Sequence, residues 1–525
     1  MKKLWFVLVI FMVTSAMLFA GGGTNRNQAP AAQAGGGAIT VEIFDRGTDG
    51  GRSLAYDNAW TNWIKQKVKA DLNIDVTFVP VGRWSEDTDI VNLMAAGSAP
   101  DLCYTYNGGM VNNFRDMGGL LNLAPYIDSH LPDLKKLLGP DPAISGKDFI
   151  YRQQDQATGA IYSIQAARVA IAQRNIFIRK DWLDALRLPM PTSYDQFYNT
   201  LIAFRDRANE LPGGIGNRVV PYGQNNDARW GLIDLIRHQV TPMSDRDRWV
   251  YNIHERFLMV PGFKEGVREM NKWYNERLIY QDFPLMTTAD DFYNQMKSGV
   301  VGSFAQNWDL PYRQDYLINE ELARNIPGAE FVPVDLNLNN KEMMDKAGLH
   351  MFIPQFSRNH IGALQYLNWL SKPENFNFLQ IGAEGMNHVM RDGAPNIFAM
   401  PPGHMWIQNS AQNIDITMPL NGVEMGSPEL NARVLALSYG RTSPDVIVNA
   451  YTISTSNARA GMVYQATTLI NQYTQVLQDK ADALLAQAIR TSPATFDNVW
   501  DTGYRDWVSS GAQEVFDERS RLFPR

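Results

Sequence analysis

The sequence predicts an α/β fold in which a mostly parallel sheet is flanked by helices, and three observations carry that prediction. Apolar–polar alternation at Ile39–Phe44, Ile74–Phe78 and Asp101–Tyr106 is interleaved with helical periodicity at 56–72 and 89–96. The resulting order, strand, helix, strand, helix, strand, requires right-handed crossovers and hence parallel neighbours. The chain is also long and apolar enough, at 525 residues and 45% hydrophobic, to bury several cores. Finally, Cys103 is its only cysteine, so no internal disulfide can form and the fold must rest on packing.

Taken in order, Lys2 and Lys3 precede the apolar run Leu4–Val13 and the small residues Ala20-Gly21-Gly22-Gly23, which predicts an export signal over 1–20. Gly22 stands where a lipoprotein signal would place its lipid-bearing cysteine. The expected product is therefore a free periplasmic or secreted protein, not a lipoprotein. Residues 21–38 lack large apolar side chains and read as a flexible tether. After the first strand, Asp45–Ser53 is a glycine-rich turn. In 56–72 the side chains Trp60, Trp63, Ile64, Val68 and Leu72 recur at three and four, one face of a helix laid on a sheet. Cys103 falls in the alternation Leu102–Tyr106 and is expected to be a buried strand residue. Beyond it a further alternating region starts near Ile161, and Asp181-Trp182-Leu183 opens a short helix. Thr192 caps a helix running to Phe204, with Asp195 complementing its dipole. Helices follow near 230–239, 262–277 and 290–297, then a strand at Val300–Phe304, and helices dominate from about 357 onward.

Composition narrows function. The net charge is −7 and no basic run occurs, so nothing matches the cationic surface that nucleic acid demands. Aromatic residues make up 11% of the chain, more than cores require, and part of that surface is expected to meet a ligand. Catalytic and cofactor motifs fail on chemistry. Gly51-Arg52-Ser53-Leu54-Ala55 misses the nucleophile elbow by a glycine, His254-Glu255 is followed by Leu258 where a zinc protease needs histidine, and Gly213-Gly214-Ile215-Gly216 is not a dinucleotide turn. Asp45, Asp49 and Gly50 fit three calcium-loop positions, but Tyr56 replaces the bidentate glutamate. No metal and no cofactor are expected.

Several segments resemble the bacterial extracellular solute-binding proteins (family 1) of carbohydrate ABC transporters. They are Asn92-Leu93-Met94-Ala95-Ala96-Gly97-Ser98-Ala99-Pro100-Asp101-Leu102, Gly118–Leu123 with Tyr126-Ile127, Ala160–Ile164, Ile178-Arg179-Lys180-Asp181-Trp182-Leu183, Lys297–Gly302 and Gly385, in family order. The resemblance, nearest in size to the long alginate-oligosaccharide and lipoprotein-type members, implies a two-lobed periplasmic-binding-protein type II fold joined by crossing hinge strands. It assigns 39–165 and 309–355 to the N-terminal lobe and 166–308 and 356–525 to the C-terminal lobe, with crossings near 165–175, 300–308 and 355. It implies a non-enzymatic monomer that captures a sugar or oligosaccharide and hands it to permease subunits in the cytoplasmic membrane. Long members often carry a calcium loop before a Pro-Tyr-Gly; here 210–220 offers Pro212, Gly214, Arg218 and Val219 instead of acids. Sugars are held by ring stacking and by amide, carboxylate and guanidinium hydrogen bonds. The ligand candidates are therefore Asp45, Arg46, Trp84, Tyr104, Tyr106, Asn107, Trp230, Asn307, Trp308, Asp309 and Trp406, with Trp60, Trp63 and Trp182 assigned to cores. Trp308 is expected to stack on the sugar. The rival reading is a secreted glycoside hydrolase, which needs a carboxylate pair that the sequence does not single out.

Overall fold

The computed structural model describes residues 36–45 and 54–522, apart from 142–143, 156, 254–256, 314–315, 386–387, 392, 397–417, 423, 437–441 and 463–466. The signal and most of the tether, as well as Arg46 and Trp406, lie outside the described residues. Strand β1 (Gly37–Asp45) buries Ile39, Val41, Ile43 and Phe44, and it pairs in parallel with β2 (Ile74–Gly82) from Gly37↔Ile74 to Asp45↔Gly82. Helix α1 (Ala59–Leu72) makes the crossover between them. Asn58 starts it by accepting from the N–H groups of Trp60 and Thr61, and Asn73, left-handed at φ 54°, stops it. Its face of Trp60, Ile64 and Val68 is buried, while Trp63 stacks 4.4 Å from Phe378 of the helix Pro373–Ile381. Helix α2 (Glu86–Ala95) then leads to β3 (Cys103–Thr105), which joins β1 through a parallel bridge between Val41 and Leu102. Helix α3 (Gly108–Asp116) follows. Cys103 is buried, and its surroundings push the thiol pKa up.

The first sheet is completed by β4 (Ile164–Arg168), by β9 (Ala347–Phe352) lying between β3 and β4, and by β12 (Leu420–Asn421) on the far side of β4. The second sheet has the order β6-β7-β5-β8, with β5 at Arg174–Arg179, β6 at Val220–Tyr222, β7 at Val301–Asn307 and β8 at Phe331–Val334. A hairpin, β10 (Val389–Arg391) with β11 (Ala394–Asn396), stands apart. Crossover pairs such as β1–β2 and β6–β7 are parallel. Strands entering a lobe from the other one, β9 beside β3 and β5 beside β7, run antiparallel because they travel the opposite way.

Two of the family-like segments meet in the second core. Gly302 lies against the Trp182 indole so closely that a Cβ there would fall 2.5 Å from Cζ3, which excludes any larger residue. Beside it, Arg179 holds Asp181 with two bonds of 2.7 Å and donates to the Gly299 carbonyl at 2.7 Å. The C-terminal helices Thr468–Arg490 and Phe496–Trp507 pack on this lobe, where the Asn271 amide donates to the carbonyls of Ala488, Ile489 and Thr491.

The chain passes between the sheets at 169–173, at 335–346 and after Asn421, where the helix Pro428–Leu435 places Ala432 in one core and Val434 in another. The division of the chain differs from the expected one. Strand β7 stays within the second sheet, so 300–308 is no crossing, and 309–334 belongs with that sheet because β8 pairs with β5. Conversely, the helix His360–Leu370 packs on β1 and α1, in the first lobe. A strand buried on both faces reads as one apolar run whichever sheet it joins, and the sequence therefore did not reveal its neighbours.

Candidate functional site

Register places the site. Thr105 at the end of β3 pairs with His350, just past the crossing into β9, and Asn307 at the end of β7 pairs with Arg174, just past the crossing into β5. The carboxyl ends of β1, β2 and β3 in one lobe, and of β6 and β7 in the other, therefore all point toward the interlobe crossings. In open α/β sheets this is where ligands bind.

In the first lobe, Arg83 and Trp84 follow β2, and the Arg83 N–H donates to the Asp45 carbonyl at the end of β1. The Arg83 guanidinium lies 4.5 Å from the Tyr106 ring centroid, 5.0 Å from Trp84 and 5.3 Å from Phe44, and Phe44 stacks on Tyr106. Glu86, 5% exposed at the start of α2, anchors the group. It receives Arg83 Nη1 at 2.7 Å, Thr105 Oγ1 at 2.9 Å and the Tyr106 N–H at 3.1 Å. Trp84 itself is 76% exposed. An indole so open, seated on a fixed cation, is a ready stacking surface.

The second lobe has a related group, built on an indole that is half-buried and that lies near a second guanidinium, Arg229, at 5.7 Å. Asp227 caps the helix Ala228–His238 by accepting from the Trp230 N–H at 2.9 Å. Trp230 donates its Nε1–H to the Gln306 carboxamide oxygen, and the Arg174 guanidinium sits 4.6 Å from its ring. Arg174 is held by both oxygens of Asp234, at 3.1 and 3.2 Å, and Arg237 reaches the same carboxylate at 2.7 Å. Burial opposes ionisation of Asp234, but the two guanidinium groups outweigh it and hold the carboxyl well below the usual carboxylate range. The network continues into the crossing segment, where Glu342 pairs with Arg237 and Arg248, and three residues on Asp345 pairs with Arg152 of the first lobe at 2.7 Å. Burial raises the Asp345 carboxyl despite that partner. His350, hydrogen-bonded to Ser163 and Gln165 beside the crossing, is pulled down to about 4 by burial.

The predicted residues divide accordingly. Trp84, Tyr106, Asp45 and Asn107 gather at the first lobe's strand ends; Asn107 caps α3 and donates to Asp87 at 3.1 Å. Trp230 and Asn307 lie at the second lobe's strand ends, and Asn307 is half-buried. Three expectations are corrected. Tyr104 is fully buried beneath Phe44, whose N–H donates to its hydroxyl. Trp308 is 5% exposed and packs edge-on against Tyr451 at 5.5 Å. Its N–H donates to the Gln173 carbonyl and its carbonyl accepts from Asn175, so it seals the core below the hinge and offers no face to a sugar. Asp309, also buried, accepts from Arg313 at 2.9 Å. Sequence reasoning missed Arg83, Glu86, Arg174, Asp234 and Gln306, and the adjacency of Arg83 to Trp84 was the one local signal.

No protein-family profile matches the chain. It is similar to lipoprotein LipO of Bacillus subtilis (strain 168), 26% identical over 345 residues, which cover 61% of this chain and 62% of that one. It also resembles the polygalacturonan/rhamnogalacturonan-binding protein YtcQ of the same organism, 22% identical over 337 residues, with 60% and 61% covered. The chain thus spans about three fifths of the length of these curated relatives. Among solved structures, the alginate-binding protein AlgQ2 without calcium ion superposes with a TM-score of 0.64 at 15% identity, over 94% of this chain and 99% of that one. The S. pneumoniae ABC-transporter substrate-binding protein FusA, in complex with kestose, matches with a TM-score of 0.64 at 13% identity over 92% and 98%. The chain has the two-lobed fold of the solute-binding proteins of ABC transporters, in agreement with the segments noted in the sequence.

Proposed function

We propose that this protein is an extracytoplasmic solute-binding protein that captures a sugar or oligosaccharide between its lobes and delivers it to the permease subunits of an ABC transporter. One observation carries the reading: each lobe presents, at its strand ends, an indole backed by an arginine that a carboxylate fixes, Trp84 on Arg83–Glu86 and Trp230 on Arg174–Asp234. Two such faces on opposing lobes suit the weakly apolar faces of sugar rings, while the amides and carboxylates around them suit hydroxyls. The names of the relatives, a polygalacturonan/rhamnogalacturonan-binding protein and an alginate-binding protein, add support for a saccharide ligand.

Binding rather than hydrolysis is favoured by how two of the site's carboxylates are used. A glycosidase needs two of them about 5 to 9.5 Å apart, one free to give a proton. Here Glu86 and Asp234 are committed to guanidinium groups. Export accords with the charged and apolar residues 2–13. A panel of neutral and uronic oligosaccharides should raise the melting temperature, by about 4 kcal/mol of stabilisation at a thousandfold excess over Kd, and should shrink the radius of gyration in solution scattering. Release of reducing sugar would refute the reading. A panel without any shift would do the same.

A further inference from the structure

We propose that Glu86 is the specificity-determining residue of the first lobe's ligand surface: by neutralising and orienting Arg83, it sets how the site discriminates between neutral and acidic sugars. The inference rests on the sugar-binding reading above and deepens it.

Three features of the geometry lead there. First, Arg83 is placed to meet ligand. Its guanidinium lies among Tyr106, Trp84 and Phe44 at 4.5, 5.0 and 5.3 Å, its side chain is 20% exposed, and its neighbour Trp84 is the most open large ring of the site. Second, the buried Arg83 Nε–H meets no acceptor among the described residues. A buried donor left unpaired is costly, so the Nη1 bond to Glu86 carries the orientation of the guanidinium. Third, Glu86 is the carboxylate that Arg83 meets, at 2.7 Å, and it is locked from behind by Thr105 Oγ1 and the Tyr106 N–H. The other acids on this helix are turned to different partners: Asp87 accepts from Asn107 at 3.1 Å and Asp89 accepts from Ser85 at 2.6 Å.

The pair therefore presents fixed donor edges with little net charge, a surface that reads hydroxyls by geometry. An uncompensated guanidinium in the same place would instead attract a sugar carboxylate. Glu86→Gln keeps the shape and the Oε1 acceptor for Thr105 and Tyr106 but removes the counter-charge, whereas Arg83→Gln leaves Glu86 unbalanced. The two variants must shift selectivity in opposite directions, which a merely structural role would not produce.

The test measures affinities by calorimetry for matched probes, galacturonic and mannuronic oligosaccharides against their neutral galacto- and manno- counterparts. In Glu86→Gln the uronide-to-neutral affinity ratio should rise roughly tenfold, and in Arg83→Gln it should fall by roughly the same factor. Both variants should melt earlier than wild type, because each strands one partner of a largely buried pair, and the selectivity ratio is the deciding readout. A ratio unchanged in both variants, or moving the same way in both, overturns the assignment while leaving sugar binding intact. Should Glu86→Gln fail to fold, the fall in Arg83→Gln decides alone. If the wild type binds none of the probes or any other saccharide, the functional reading fails and this inference with it.

Discussion

Truncating two tryptophans separates the ligand surface from the core. Trp84 is 76% exposed and touches the fold chiefly through Arg83, 5.0 Å from its ring. Trp84→Ala should therefore cost no more than the cation–π contact, about 0.5 to 1 kcal/mol of stability. Its loss to binding is the stacking contribution of about 0.5 to 1.5 kcal/mol, roughly two- to tenfold in affinity. Trp308 is the opposite case, 5% exposed among Ala172, Phe304 and Tyr451. Trp308→Ala leaves a cavity costing about 3 to 5 kcal/mol. At about 2 to 4 °C per kcal/mol for a unit of 150 to 250 residues, the melting temperature should fall by about 6 to 20 °C. The assay is thermal unfolding and saccharide titration on both variants. Normal melting with lost binding in Trp308→Ala, or early melting in Trp84→Ala, would refute the reasoning.

Asp234→Asn leaves Arg174 and Arg237 without their shared carboxylate in a buried setting, and denaturant titration should show about 3 to 5 kcal/mol lost; an unchanged midpoint would contradict the network. His350 binds its proton only near pH 4 in the folded protein, against the ordinary 6.5. The unfolded chain thus holds more protons between those values, and stability should fall as pH drops from 6.5 to 4, by up to about 3 kcal/mol. His350→Gln should flatten that window, and an unaltered pH profile would refute the assignment. A chelator should leave the melting temperature unchanged, because Arg218 in the 210–220 loop already donates to the Gly214 carbonyl and acids are scarce there. A drop that calcium alone restores would refute this.

Legibility followed the range of the interactions. Alternation and helical spacing depend on neighbours two to four residues away, so the sequence by itself determined β1, α1, β2, α2 and β3 and their crossover order. It also determined that Trp60 and Trp182 are core residues and that the turns after those strands carry rings and polar groups. Site membership depends on partners far along the chain. Phe44 meets Tyr106, Arg174 meets Asp234 and Trp230 meets Gln306 across roughly 60 to 76 positions. Trp308, a residue in a polar tripeptide, looked like a ligand contact and became core because Tyr451, 143 positions on, packs edge-on against its indole. Burial of an aromatic ring is decided by what covers it, and only the tertiary structure brings the cover.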